Sequence, residues 1–200
     1  RKLVMKNKLV FRSGKLEDST ELALIFDMAG RRIPSYLWGL QTLPGQSAFE
    51  VGRERIRALD SRPSHFSNWH IAEVQNQIIG GFFGLVIEEP YPEIDFNELE
   101  PCLHPIAALE KEASGCWLLQ AIAILPEARG KGYAKEFLDK ADEIARSSGV
   151  AKVALQVEEV NETAHGTYKK FGYYEVNRRP FIPFPGSVDT GDYILMFKDL

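Results

Sequence analysis

The sequence is poor in the residues that make several functional classes recognisable. Only two of its 200 residues are cysteine, Cys102 and Cys116, and they form no CxxC pair. That argues against a disulfide framework and suits a reducing cytosol. Histidine is nearly as scarce: Cys102-x-His104 has no second ligand pair, and His65 and His70 stand five apart, so no metal site is expected. Long apolar runs are missing too. The longest, around Ile78–Ile87 and Cys116–Leu125, fall well short of the ~20 residues a bilayer demands. Excess positive charge is absent, with 24 Lys and Arg against 28 Asp and Glu, a net charge of −4. No general basic field therefore draws the chain to nucleic acid or to an anionic membrane. A charged leader followed by an apolar core is not found either, so no signal peptide is expected; Met5 is a candidate natural start, with Arg1–Val4 ahead of it. The expectation is a cytoplasmic protein of one domain, residues 1–200.

What is present alternates between the two secondary-structure periods. Leu9–Arg12 reads as a first strand. Asp18 and Glu21 have capping-box spacing, and Leu22, Ile25, Phe26 and Ala29 follow at helical intervals until Gly30. Phe49, Gly52, Ile56 and Leu59 share one face of a second helix, and the segment between carries exposed-looking aromatics, Tyr36 and Trp38 among them. Asn68–Val74 and Ile78–Ile87 predict a hairpin joined at Gln75–Gln77. Gly80, Gly81 and Gly84 inside its second strand predict a bulge or a close backbone approach. The stretch Glu88–Glu112 is an insertion with eight carboxylates and one lysine, Lys111. Beyond it come a strand at Trp117–Leu125, a helix at Gly132–Ser147, a strand at Lys152–Val157 and a helix at Glu162–Lys170. Strands at Tyr173–Val176 and Tyr193–Lys198 complete an α/β pattern without internal repeats.

The loop between the first strand and helix of that second half, "ILPEARGKGYAKEFL" (Ile124–Leu138), is the most specific stretch. Tyr133, Ala134, Phe137, Leu138, Ala141, Ile144 and Ala145 form one apolar stripe, so the helix packs on a sheet and starts near Gly132. The first N–H groups of a helix have no partner inside it and carry the positive end of the dipole. Gly130 and Gly132 remove side chains there, and Arg129 and Lys131 add charge: an arrangement suited to phosphate. A solvated strand-to-helix turn fits the same residues. Two nucleotide motifs do not. A Walker loop needs Ser or Thr where Gly132 stands, and a dinucleotide fingerprint needs glycine where Lys135 stands.

Taken with "NETAHGTYKKFGYYEV" (Asn161–Val176), this loop resembles the GNAT superfamily of acetyl-CoA-dependent N-acetyltransferases. Arg129, Gly132 and Ala134 match that family's Arg/Gln-x-x-Gly-x-Gly/Ala loop. Asn161, Ala164, Tyr168, Gly172 and Tyr173 match its later helix motif. The resemblance is strong over about residues 117–176, the expected cofactor-binding core. It implies a mixed, mostly antiparallel sheet of about six to seven strands flanked by helices, splayed between the fourth and fifth strands. It further implies that backbone groups of Ile122, Ala123 and Ile124 bond the pantetheine arm of acetyl-CoA. In the same way, N–H groups of Arg129, Gly130, Lys131, Gly132, Tyr133 and Ala134 would hold its pyrophosphate. Asn161 would lie beside the arm, although capping its own helix explains an asparagine equally well. Tyr168 would donate to the cofactor sulfur, against the alternative of a core aromatic.

The implied reaction is transfer of an acetyl group to a primary amine of a small molecule or peptide; the alternative is an acyl-CoA-binding module without turnover. An alkyl amine has a pKa near 10.4, so only about one molecule in a few thousand is nucleophilic at pH 7. A base is therefore needed. Many family members place a glutamate on the fourth strand, where this chain offers only Gln120. Glu88, Glu89, Glu110 and Glu112 flank the core as substitutes. The expected partners are acetyl-CoA and an amine, with a homodimer in keeping with the family and with neither nucleic acid nor membrane. The acidic insertion and the aromatic segment at Tyr36–Trp38 suit a small cationic amine; carboxylates that merely keep a loop soluble suit them as well. His165, one residue off the Ala164–Tyr168 face, is expected to be exposed.

Overall fold

Strands β1 (Leu9–Ser13), β2 (His70–Val74) and β3 (Gln77–Val86) pair antiparallel in sequence order. The β2–β3 turn carries Gln75 and Asn76 at φ 52° and 61°, the left-handed pair that matches the twist of a two-residue hairpin. The computed structural model describes residues 8–59 and 62–200; Met5 and the residues before it lie outside them. β4 (Trp117–Ile124), β5 (Lys152–Glu158), β6 (Tyr174–Pro180) and β7 (Asp192–Asp199) extend the sheet to seven strands in the order β1-β2-β3-β4-β5-β7-β6. Helices flank it, and β4 and β5 pair in parallel whereas β5–β7 and β7–β6 pair antiparallel. This is the mixed, mostly antiparallel sheet that the resemblance implies. The chain groups into two units, Arg1–Phe83 with Ala121–Phe137, and Gly84–Gln120 with Leu138–Leu200.

In the first unit, helices α1 (Ser19–Ala29), α2 (Ile33–Gly39) and α3 (Ala48–Arg57) enclose a core of Leu22, Ile25, Trp38, Ile56, Trp69, Ile71 and Phe83. Three expectations change here. Trp38 is buried, on a helix the apolar pattern was too short to announce. A Cβ on Gly52 would stand 2.4 Å from the indole, so the missing side chain on α3 is what lets the ring lie against it. Leu59 is 96% exposed rather than on the α3 face, because Ala58 turns extended (ψ 132°) and breaks the helical spacing. Asp18 forms no capping box with Glu21. Its carboxylate accepts the Lys15 N–H at 2.7 Å and both arms of the Arg12 guanidinium at 2.8 and 3.0 Å. A bidentate cation competes successfully with a helix N–H for one carboxylate.

Glycines in β3 behave as their placement predicts. The β2–β3 register shifts between Ala72 and Glu73. A Cβ at Gly80 would lie 2.3 Å from the Ala123 carbonyl. Further along, one at Gly84 would lie 2.5 Å from the Leu118 carbonyl and the Trp117 ring. Close passage along β4, rather than a turn, is why both positions lack side chains.

In the second unit β5 is central and reads as a near-continuous apolar run because both faces are covered. The parallel ladder with β4 pairs Trp117, Leu118 and Leu119 with Val153, Ala154 and Leu155. β5 continues to Glu158 and pairs with β7 along its whole length. Helix α4 (His104–Glu112), inside the acidic insertion, packs on one face: Gln156 Nε2 donates to the Ile106 carbonyl at 3.0 Å. Helix α5 (Ala134–Ser147) lies on the other, where Lys198 Nζ meets Asp142 Oδ2 at 2.5 Å. Those side chains are 19% and 6% exposed. Removing one partner of such a pair strands a charge in poor solvent, which typically costs about 3–5 kcal/mol. Asp142→Ala is accordingly expected to lose about that much in urea unfolding; a loss below about 1 kcal/mol, the level of a surface pair, would show that water reaches Lys198 freely.

Cys102 and Cys116 are free and buried, and burial pushes both thiols above their ordinary pKa. Among the described residues no helix is long and apolar enough to cross a membrane. No group of three or more His, Cys, Asp or Glu among them could hold a metal ion.

Candidate active site

The loop after β4 is fixed at its root and bare at its tip. Leu125 N–H donates to the Ile79 carbonyl at 2.8 Å, and Pro126–Ala128 make one 3-10 turn whose Ala128 is buried. Arg129 follows in an extended conformation (φ −69°, ψ 162°). Gly130 and Gly132 take φ of +72° and +79°, the left-handed region that costs side-chain-bearing residues energy. Among the described residues, none but the chain neighbours comes within 4 Å of where a Gly130 Cβ would be, so backbone conformation, not crowding, calls for glycine there. Arg129, Gly130, Lys131 and Gly132 are all exposed, and the chain re-enters the fold at the buried Tyr133. Phe137 N–H bonds the Tyr133 carbonyl at 3.2 Å as α5 begins at Ala134. A fourteen-residue helix thus opens behind two glycines and two cations.

Ile122, Ala123 and Ile124, on the last turn of pleat before this loop, are half-buried. The Ile124 carbonyl accepts Arg129 Nε at 2.8 Å. These strand residues and the loop belong to the first unit; Asn161 and Tyr168 belong to the second. Helix α6 (Glu162–Lys170) carries Tyr168 and begins just after Asn161. Asn161 caps it, its Oδ1 accepting the Ala164 N–H at 3.4 Å. Tyr168 is half-buried with its ring edge-on to Tyr173, centroids 5.7 Å apart. Burial first, and then the charge of Glu158, push its phenol above the ordinary range, so it stays protonated. Tyr173 is raised by burial and by Asp142, and lies under Lys198 Nζ, 5.6 Å from the ring centre. His165 is not exposed as expected. Its side chain is 15% exposed, with Nε2 2.9 Å from Glu175 Oε1, because Glu175 gathers Arg178 and Lys169 around the same spot. Hydrogen bonds from Arg178 and then Lys169 bring the Glu175 carboxyl down to about 2.

The four glutamates offered as bases do not share one environment. Glu88 and Glu89 are exposed. Glu112 is held by Arg179 Nη2 at 2.5 Å and Asn177 Nδ2 at 2.7 Å. Glu110 is half-buried and accepts the Tyr91 hydroxyl at 3.1 Å. Burial lifts its carboxyl above the usual range, the Tyr91 bond opposing. Sequence reading did not separate these four. The helix α4 that distinguishes them was hidden by the charge of the insertion, although Pro105 and Leu109, both buried, already have helical spacing.

Residues 36–173 match the acetyltransferase (GNAT) family, well over half of the chain. A stretch of 49 residues is 45% identical to the uncharacterized N-acetyltransferase YycN of Bacillus subtilis strain 168, covering 24% of this chain and 31% of that one. The match thus spans about a third of the length of that relative. Among solved structures, an N-acetyltransferase from Staphylococcus aureus Mu50 superposes with a TM-score of 0.62 at 16% identity, covering 94% of this chain and 99% of its own. A spermidine N-acetyltransferase from Vibrio cholerae, in complex with CoA and spermine, superposes at 0.59 and 19% identity, over 96% and 95% of the two chains. The chain belongs to the GNAT family of acetyltransferases.

Proposed function

We propose that this protein transfers the acetyl group of acetyl-CoA to a primary amine of a small molecule or peptide. The observation that carries the reading is the Arg129–Ala134 loop, two left-handed glycines flanked by cations at the mouth of α5. Backbone N–H groups there suit a pyrophosphate, and open space at Gly130 leaves room for one. That a spermidine N-acetyltransferase of the same fold holds CoA supports the same donor here. Acetyl-CoA would bring an acyl carbon activated as a thioester. The protein's own part is to hold the arm on the backbone of Ile122–Ile124 and beside Asn161, and to keep a proton on the Tyr168 phenol for the departing sulfur. Release of free thiol from acetyl-CoA across a panel of amines tests this. Turnover with at least one amine is expected.

The second reading, an acyl-CoA-binding module, is favoured by one fact: β4 carries no carboxylate, and Gln120 is exposed in its place. Tight acetyl-CoA binding with no thiol release for any amine would favour it. Arg129 supplies a subsidiary test. Its guanidinium is exposed and screened by water and ions over about 8–10 Å. Arg129→Ala should therefore weaken acetyl-CoA binding only several-fold, on the order of 1 kcal/mol. Calorimetric titrations at low and high salt should show that difference shrinking as salt rises.

A further inference from the structure

We propose that Glu110 is the group that takes the proton from the attacking amine. This rests on the acetyl-transfer reading above and adds the missing base to it. Three features of the second unit point there. First, Glu110 is the one carboxylate of the four flanking glutamates that is half-buried and held by a neutral hydroxyl, that of Tyr91, while Glu112 on the same helix is committed to Arg179. A carboxylate that is desolvated and not ion-paired is the stronger base, and the upward shift of Glu110 is in that direction.

Second, α4 sits where β5 parts from its ladder. The parallel pairing with β4 reaches Leu155, and the next residue, Gln156, donates through Nε2 to the Ile106 carbonyl. Ile106 and Glu110 are one helical turn apart, on the same face of α4. The other end of that amide, Gln156 Oε1, is buried and has no hydrogen-bond partner among the described residues. Buried polar atoms are normally satisfied, so an orphan acceptor held one helical turn from a candidate base marks a place where an N–H donor belongs.

Third, the two faces of β5 divide the proton traffic. Val153 pairs with Lys198 and Gln156 with Leu195; three residues of separation put Gln156 and Val153 on opposite faces. Lys198 lies over Tyr173, whose ring meets Tyr168, so the phenol belongs to the α5 face and Glu110 to the α4 face. Acid and base on opposite faces cannot simply exchange a proton with each other. The amine, having left one proton in solvent, forms its C–N bond to the thioester carbon as Glu110 takes an N–H proton. The C–S bond breaks, its electron pair goes to sulfur, and the sulfur takes the Tyr168 proton. Glu110 then returns its proton to water, and Tyr168 regains one from water.

The test uses the full chain and whichever amine the wild type accepts. Glu110→Gln preserves shape and the Tyr91 bond, and should lower kcat by about 10²–10⁴-fold with KM for acetyl-CoA and the melting temperature unchanged. Glu110→Ala should regain activity as sodium formate is added, since a small carboxylate can enter the vacated space. Glu112→Gln should keep the wild-type kcat. Wild-type kcat in Glu110→Gln, or no response of Glu110→Ala to formate, overturns the assignment while leaving acetyl transfer intact. Loss of cooperative melting in both Glu110 variants assigns the residue to the fold and overturns it too. A wild type that releases no thiol with any amine overturns the acetyl-transfer reading, and this one with it.

Discussion

Gly132→Val is expected to abolish acetyl-CoA binding in a protein that still folds. Two effects act together. A branched side chain at φ +79° is strained by about 1–3 kcal/mol, so the loop shifts. Wherever it settles, the isopropyl group occupies the surface a pyrophosphate would need to approach. Strain alone is separable by experiment. Gly149, also exposed, has φ +78°, with none of the described residues beyond its chain neighbours within 4 Å of its Cβ position, and lies at the far end of α5. Gly149→Val should cost a similar loss in melting temperature and leave acetyl-CoA affinity as in the wild type. Unchanged affinity in a folded Gly132→Val protein would remove this loop from the binding site.

Tyr168→Phe is expected to lower turnover by about 10²–10⁴-fold, the usual contribution of a positioned acid, with chemistry limiting the rate. The phenylalanine keeps the edge-on contact with Tyr173 and the area buried, so melting temperature and acetyl-CoA affinity should hardly move. The shift of the phenol bears on the pH profile. Because burial raises its pKa, the proton stays on Tyr168 through neutral and mildly alkaline pH, and activity should not fall there through loss of the acid. A core-aromatic role for Tyr168 predicts wild-type turnover in the same variant. Single-turnover rates distinguish the two outcomes.

How much was legible in the sequence depends on how far each signal travels along the chain. The loop was readable because its causes are local: Gly130 and Gly132 announce positive φ, and the apolar stripe from Tyr133 announces the helix behind them. Asn161 was readable as a cap for the same reason. Trp38 was not, since its burial depends on a missing side chain at Gly52 on another helix. Asp18 likewise has capping spacing but a distant partner, Arg12, which no periodicity reveals. Glu110 stood undistinguished among the four glutamates that flank the core because what separates it, Tyr91 and the turn under Gln156, is tertiary. Backbone conformation is written locally, whereas the electrostatic setting of a side chain is written by whatever folds against it.

The burial of both cysteines has a practical consequence for measuring this chemistry. Colorimetric reagents that detect released CoA react with any accessible thiolate, and a protein's own thiols commonly supply the background. Here Cys102 and Cys116 are 2% and 5% exposed, and burial keeps their sulfur protonated. The native protein should therefore leave a disulfide dye almost colourless for as long as it stays folded. Added denaturant should release two equivalents of colour per chain, so the same dye reports both the reaction and the integrity of the second unit.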